Sequence, residues 1–272
     1  MSVSKVSILM GIYNCADTLG DAIESIIHQT YTNWELILCD DGSSDDTYKV
    51  AQNYQKVYPK KIILLKNEKN IRLAATLNHC AEYATGKYIA RMDGDDLSAP
   101  DRLEKQVDFL ETHSDYDLVG TYMKAFDENG YRNIIPIKAE PVKTDLPKFN
   151  PFHHATIVMK KTVFDALGGY HVSDITTRAE DVDLWFRFFS AGYKGYNISE
   201  PLYLVKEDAA TFNRRTFKHS VEASKVLIRG IKMLGLSPKY YVFAMKPIVS
   251  QITPAGVKKH FRKNMDRKNR KE

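Results

Sequence analysis

Tyr88-Ile89-Ala90-Arg91-Met92-Asp93-Gly94-Asp95-Asp96 is the stretch on which the fold turns. The apolar run up to Met92 reads as a short strand, and Gly94 leaves room for a turn at its end. Three carboxylates crowded there repel one another unless a cation or donor groups sit between them. Mg²⁺ and Mn²⁺ take oxygen ligands, usually one or two carboxylates together with the phosphates of a substrate. The tetrapeptide is therefore either a seat for a metal–diphosphate complex or a solvated acidic turn. Its neighbours in the chain have to decide between the two.

Working outward, the first half alternates strand-like and helix-like segments. Val6–Met10 reads as a buried strand, followed by a helical pattern from about Thr18 to Gln29. Leu36–Cys39 is the next strand and ends on Asp40-Asp41-Gly42. Ser43 or Ser44 then caps a helix whose first turn carries Asp45 and Asp46, the end favourable to negative charge. Ile62–Leu65 is a third strand, Leu73–Tyr83 has helical spacing, and the fourth strand delivers the Asp93 cluster. Such alternation predicts an α/β fold, a mostly parallel central sheet with helices on both faces. In these sheets ligands bind beyond the C-terminal strand ends. Both acidic turns, Asp40-Asp41 and Asp93–Asp96, fall on that edge.

Beyond the cluster, Pro100 fits the first turn of a helix running to about Thr112, Leu118–Phe126 a strand, and Asn129-Gly130 a turn. Pro136 to Pro151 holds four prolines and reads as a loop across the site. Thr156–Met159 looks like a strand, and Lys161–Leu167 a short helix stopped by Gly168-Gly169. Glu180–Ser190 has Leu184, Trp185 and Phe188 at helical spacing. From about Thr216 the pattern is helical and basic, with breaks at Pro238, Pro247 and Pro254. This divides the chain into a domain over 1–215, with halves at about 1–98 and 99–215, and a helical extension over 216–272.

The chain has 272 residues, enough for one large domain with an appendage. Its 43% hydrophobic and 27% charged residues argue against wholesale disorder. Cys15, Cys39 and Cys80 form no metal-binding spacing, and Cys39 reads as a buried thiol in a reducing, cytoplasmic compartment. No signal-peptide core follows Met1, and no apolar run approaches the roughly 20 residues that span a bilayer. The net charge of +5 is uneven. Residues 258–272 hold eight Lys and Arg against two Asp and Glu, so the rest of the chain is near neutral at −1. Such a tail serves as a solubilising end, a nucleic-acid contact or an anchor on anionic lipid. Nothing else in the chain offers a basic, base-stacking surface, which disfavours nucleic acid.

With these pieces in order, the chain resembles the family 2 glycosyltransferases of the GT-A fold over about residues 3 to 205. The resemblance is carried by Val6 to Asn14, Ser25-Ile26-Ile27-His28-Gln29-Thr30-Tyr31, Trp34-Glu35-Leu36-Ile37 and Asp40 to Asp45. It continues through Asn78, Gly86-Lys87-Tyr88-Ile89, the Asp93 cluster, Pro100-Asp101-Arg102-Leu103, Gly168-Gly169-Tyr170 and Glu180-Asp181-Val182-Asp183-Leu184-Trp185. One such piece is weak evidence; the ordered set is specific.

The resemblance implies transfer of a sugar from a UDP-sugar to an acceptor hydroxyl, with inversion and with Mn²⁺ or Mg²⁺. It implies a glycan or lipid-linked glycan as acceptor, surface-polysaccharide synthesis, and a peripheral place on the inner face of the cell membrane. Asp41 falls where the family contacts the uracil, whose ring N–H a carboxylate can accept, and Ile12 and Tyr13 would line the same pocket. Asp93 would contact the ribose or support the metal shell, Asp95 matches the metal-binding Asp, and Asp181 matches the general base. Arg72, where many members carry Gly, is either a nucleotide contact or a surface Arg. His154, Glu180 and Trp185 fall on the acceptor side. Asp40 and Asp45 read as turn and cap residues, Asp96 as a cap for the next helix, and Asp183 as solvent-facing or structural. Trp185 and Phe188 read as core more readily than as platforms for sugar. Gly11, where many members have Pro, loosens the first loop.

Two other enzyme classes fit poorly. A sugar-1-phosphate nucleotidyltransferase needs a Gly-rich, basic loop after the first strand, and a dinucleotide-dependent oxidoreductase needs G-x-G-x-x-G there. Gly11-Ile12-Tyr13-Asn14 has neither. The remaining alternative is a catalytically inactive, partner-binding subunit, against which Asp95 and Asp181 speak.

Overall fold

A computed structural model describes residues 3–128, 130–207 and 216–252. Strands β1 (Val6–Ile12), β2 (Trp34–Asp40), β3 (Ile62–Lys66) and β4 (Tyr88–Arg91) form a parallel sheet in the order β3-β2-β1-β4. Val6 pairs with Trp34 on one side and Tyr88 on the other. The first, second and fourth of these strands lack an alternating polar pattern because helices cover both faces.

Side-chain alternation nonetheless sorts two cores. Val6, Ile8, Met10, Leu36 and Leu38 pack with helices α1 (Ala16–Ile27) and α2 (Thr47–Val57). Leu9, Ile37, Cys39 and Ile89 point the other way, against α3 (Leu73–Glu82). Cys39 is a buried free thiol. Gly11 lies inside β1 rather than in a loop. A Cβ there would stand 3.2–3.3 Å from Thr76 and Leu73, so its bare Cα lets α3 approach.

The second half extends the same sheet. Its elements are β5 (Leu97–Ser98), α4 (Arg102–Thr112), β6 (Leu118–Asp127), β7 (Gly130–Ile135) and β8 (Val158–Lys160). Then come α5 (Lys161–Ala166), α6 (Glu180–Ser190), β9 (Gly195–Lys206), α7 (Phe217–Met233) and α8 (Lys246–Ile252). The order runs on from β4 through β8, β6 and β9 to β5, with β7 paired to β6; β8, β5 and β7 are the antiparallel members. The expected α/β architecture with a mostly parallel sheet and a helical C-terminal extension is the observed one.

Several details differ from the sequence reading. Helix α2 starts at Thr47, because Ser43 and Ser44 are engaged by Asn14: Asn14 N–H donates to Ser43 Oγ, and Ser44 N–H donates to Asn14 Oδ1. Asp45 instead accepts the N–H of Thr47. Thr156 closes a 3-10 turn (His154–Thr156) ahead of β8. The longest strand, β9, carries Asn197, Glu200 and Pro201, which hide its strand character, and its register against β6 shifts around Tyr122. The proline-rich loop packs beside β9, where Asn197 donates to Ala139 O from its backbone and to Lys138 O and Pro151 O from its side chain. It contributes no residue to the cavity described below.

The extension is packed on the domain. Leu227, Met233 and Leu234 join the core that holds Trp185 and Phe188. At Gly230 a Cβ would fall 2.2 Å from the Phe186 ring, so α7 lies directly on α6. Residues 253–272, which include the basic tail, lie outside the described residues. Gly230→Val is expected to overpack this contact and destabilise the protein by about 1–3 kcal/mol, although Val is the better helix former. A lowered urea midpoint at unchanged slope is the predicted result; an unchanged midpoint would mean that α7 does not rest on α6.

Candidate active site

The C-terminal ends of β1, β2 and β4 share one edge, and both acidic turns lie on it, one on each side of β1. Asp41, just past β2, donates its N–H to Ile12 O at 2.9 Å, which ties the ends of β1 and β2 together. Its buried carboxylate accepts three hydrogen bonds: Asn67 Nδ2 and Ile71 N on Oδ1, at 2.9 and 2.8 Å, and Arg72 N on Oδ2 at 2.9 Å. These bonds hold Arg72 at φ +75°, a backbone conformation costly for a side chain this size. Asn67 is fixed in turn, its Oδ1 lying 2.9 Å from His79 Nδ1 and its Nδ2 donating to Thr76 Oγ1. A carboxylate has about four lone-pair positions, so one remains for a further donor.

A cavity of about 650 Å³ opens beside Asp41. Ile12, Tyr13 and Arg72 line one side, and Thr177, Arg178 and Glu180 the other. Arg72 Nη1 donates to Thr177 Oγ1 at 3.0 Å, so the guanidinium spans the cavity between the two halves of the domain.

Asp93, Asp95 and Asp96 bring carboxylate oxygens within 4.8 Å of one another. Asp93 is held by Arg91, a buried guanidinium that donates to it from both terminal nitrogens, Nη1 at 2.5 Å. The Asp93 N–H donates to Tyr203 Oη. Asp96 is buried and accepts the Lys206 N–H at 2.8 Å, joining the cluster to the end of β9. It does not cap α4, which begins beyond Asp101. Burial, and then the charges of Asp93 and Asp95, push the Asp96 carboxyl up to about 8. A set of hard oxygen donors whose charges oppose one another this strongly fits a divalent cation.

Helix α6 starts at the same edge with Glu180 and Asp181 in its first turn. Asp181, Leu184, Trp185 and Phe188 form one helical stripe, so Asp181 heads the row whose deeper members enter the core. Its Oδ1 accepts the Val182 N–H. Glu180 lines the cavity; burial and the Asp181 charge raise its pKa, and Arg91 opposes them.

Two expectations for the acceptor side need correction. Trp185 is fully buried, edge-on to Phe152, and is core rather than a platform for sugar. His154 is enclosed between Trp185 and Tyr170, with Nε2 2.6 Å from the Tyr170 hydroxyl. Burial and the nearby Arg91 charge hold its pKa well below the usual range, so it is a neutral structural imidazole. Asp183 is structural, buried against Arg187 and His171. Asp40 is buried and accepts the Ser43 N–H, as a turn residue does. Asn67, His79, Arg91 and Tyr203 carry no role in the sequence reading: Asn67, His79 and Tyr203 act through partners distant in the chain, and Arg91, two residues from Asp93, stands in an apolar run that reads only as strand.

The comparisons with known proteins identify the family and the fold. The profile of glycosyl transferase family 2 matches residues 7–168. EpsE of Bacillus subtilis (strain 168) is 48% identical over 259 residues, covering 95% of this chain and 93% of EpsE. WfaP of Escherichia coli, a UDP-Glc:α-D-GlcNAc-diphosphoundecaprenol β-1,3-glucosyltransferase, is 28% identical over 88% of this chain and 90% of its own. Residues 1–349 of Staphylococcus aureus TarS, solved with UDP-GlcNAc, superpose with a TM-score of 0.70 at 14% identity, over 93% of this chain and 77% of that one. The chain belongs to glycosyltransferase family 2 and is a glycosyltransferase enzyme of the GT-A fold.

Proposed function

We propose that this enzyme transfers a sugar from a UDP-sugar to a hydroxyl of a lipid-linked glycan, with inversion, in the synthesis of a surface polysaccharide at the inner face of the cell membrane. The observation that carries this reading is the convergence of three groups on one sheet edge. Asp41 and Glu180 line one cavity, the Asp93–Asp95–Asp96 cluster lies on the same sheet edge as Asp41, and Asp181 follows Glu180 in the first turn of α6. WfaP, by its name, uses UDP-Glc and a diphosphoundecaprenol-linked acceptor, and TarS was solved with UDP-GlcNAc. Both support a UDP-sugar donor, and the first supports the acceptor class.

In this reading Asp41 accepts the uracil ring N–H at its remaining lone pair, beside Ile12 and Tyr13. Arg72, already across the cavity, turns its guanidinium to the base or the diphosphate. Asp95 would hold Mn²⁺ or Mg²⁺, with Asp93 and Asp96 beside it. The bound cation supplies Lewis-acid stabilisation of the charge that builds on the diphosphate. Arg91 keeps Asp93 aligned toward the ribose or the cation. Asp181 takes the proton from the acceptor hydroxyl as that oxygen bonds to the anomeric carbon, while the bond to UDP breaks and UDP departs with the electron pair. Attack from the face opposite the leaving group inverts the carbon. Glu180 lies on the cavity wall between donor and acceptor.

Three outcomes test these roles. Asp95→Ala is expected to abolish Mn²⁺-dependent transfer and to weaken Mn²⁺-dependent UDP binding; near wild-type transfer would remove Asp95 from the metal site. Asp181→Asn keeps the shape without the base, so transfer should fall about 10²–10⁴-fold while UDP affinity holds. Collapse of UDP affinity with fast residual chemistry would make Asp181 a binding residue instead. Asp41→Ala should weaken UDP binding by roughly 10–100-fold, the scale of one hydrogen bond to a charged group. Asn67→Ala should weaken it less, and unchanged affinity of Asp41→Ala by calorimetry would reject its contact with the base.

A further inference from the structure

The C-terminal extension differs in charge from the rest of the chain. Residues 216–272 hold fourteen Lys and Arg against three Asp and Glu, a net +11, so residues 1–215 carry −6 of the total +5. The structure shows how the described part of this charge is presented. Lys218, Lys225, Arg229 and Lys232 follow one another at spacings of seven, four and three, which places them on one face of α7. All four are exposed, while Val226, Gly230 and Ile231 turn inward. Lys218 lies 3.9 Å from Glu222. Among the described residues, Lys225, Arg229 and Lys232 form no ion pair.

The 3-10 helix that follows, Pro238–Met245, is apolar on the outside. Ala244 is buried and anchors it, but Val242 is 68% exposed, Met245 52% and Tyr241 37%. Phe149 adds a fourth exposed apolar side chain from the neighbouring loop, where the Lys246 ammonium donates to the carbonyl of Lys148. Lys239 and Lys246 flank these side chains. The apolar residues of this segment therefore do not all pack on the catalytic domain. The chain then continues from α8 into residues 253–272, whose sequence carries a further net +6.

We infer that this face, made of the outer side of α7 and the Pro238–Met245 helix, docks on an anionic lipid surface. Val242, Met245, Tyr241 and Phe149 enter the headgroup–acyl boundary, and Lys225, Arg229, Lys232, Lys239 and Lys246 meet the phosphates. Exposed apolar tips and a cationic face are the two weak signals that together give stable, reversible attachment. No helix among the described residues is long and apolar enough to cross a membrane. Two alternative occupants fit less well. A second copy of the chain would set two cationic faces against each other, and a nucleic acid leaves Val242 and Met245 without a partner. The inference deepens the location given under the proposed function, but vesicle binding is read without any transfer assay, so either can fail while the other stands.

The test is flotation of the full chain with vesicles of phosphatidylcholine, with and without phosphatidylglycerol. Co-flotation with the anionic vesicles alone, reversed by high salt, is expected. Val242→Ser with Met245→Ser should lower the partition coefficient about tenfold, a fraction of the transfer preference of two apolar side chains. Lys225→Gln with Arg229→Gln and Lys232→Gln should lower it tenfold or more. All five substitutions are on exposed side chains, and unchanged thermal unfolding confirms that the variants fold. Truncation after Ile252 should weaken binding without removing it. Equal binding to both vesicle types, or none, overturns the inference. So does truncation that abolishes binding while both substituted proteins bind like the parent. Retention on RNA, or dimerisation that Val242→Ser disperses, in the absence of vesicle binding also overturns it.

Discussion

The ion pair of the buried Arg91 with the half-exposed Asp93 is the interaction on which the catalytic edge depends. A guanidinium below the sheet surface is stable only if its charge is met, and Asp93 meets it with both oxygens. The pair fixes the first of three clustered carboxylates and offsets part of their mutual repulsion. It also reaches the other half of the domain: the Arg91 charge opposes the upward shift of Glu180 and holds down the pKa of His154. Asp96 and Tyr203 extend the arrangement to β9, the first through the Lys206 N–H and the second through the N–H of Asp93. The cluster is thereby joined to strands from both halves of the chain and is more than an acidic turn.

The nucleotide end is organised on a different principle. Asp41 spends most of its hydrogen-bonding capacity on the protein itself, and so sets the path of the chain from Asn67 to Arg72. His79 orients the Asn67 amide, the amide orients Asp41, and Asp41 holds Arg72 in a left-handed conformation facing the cavity. Local strain held by a carboxylate with three of its hydrogen-bonding positions filled is a way of pre-organising a binding group before the ligand arrives.

The first half of the fold was legible because parallel strands buried on both faces read as uninterrupted apolar runs, each closed by an acidic turn or a helix. The strand-edge rule put Asp41 and the Asp93–Asp96 turn on one edge of the sheet without any knowledge of contacts. β9 was not legible: Asn197, Glu200 and Pro201 break its pattern, and only its pairing with β6 and β5 makes it a strand. Trp185 shows a second limit. It lies one helical turn beyond Asp181 on the same stripe, and a sequence does not reveal how far along α6 the site gives way to core. His154 looked like an acceptor-side group from its neighbours in sequence, whereas its partner Tyr170 comes from a different segment. Arg91 was visible as a residue beside Asp93, but the groups its charge acts on, His154 and Glu180, come from distant segments.

The most direct measurement is a crystal structure of the protein with UDP and Mn²⁺, with the manganese located by its anomalous scattering. The account predicts one manganese peak bonded to the Asp95 carboxylate and to diphosphate oxygens, with the uracil ring N–H on Asp41. UDP bound in another cavity, or in this one with manganese away from the Asp93–Asp96 turn, would contradict it.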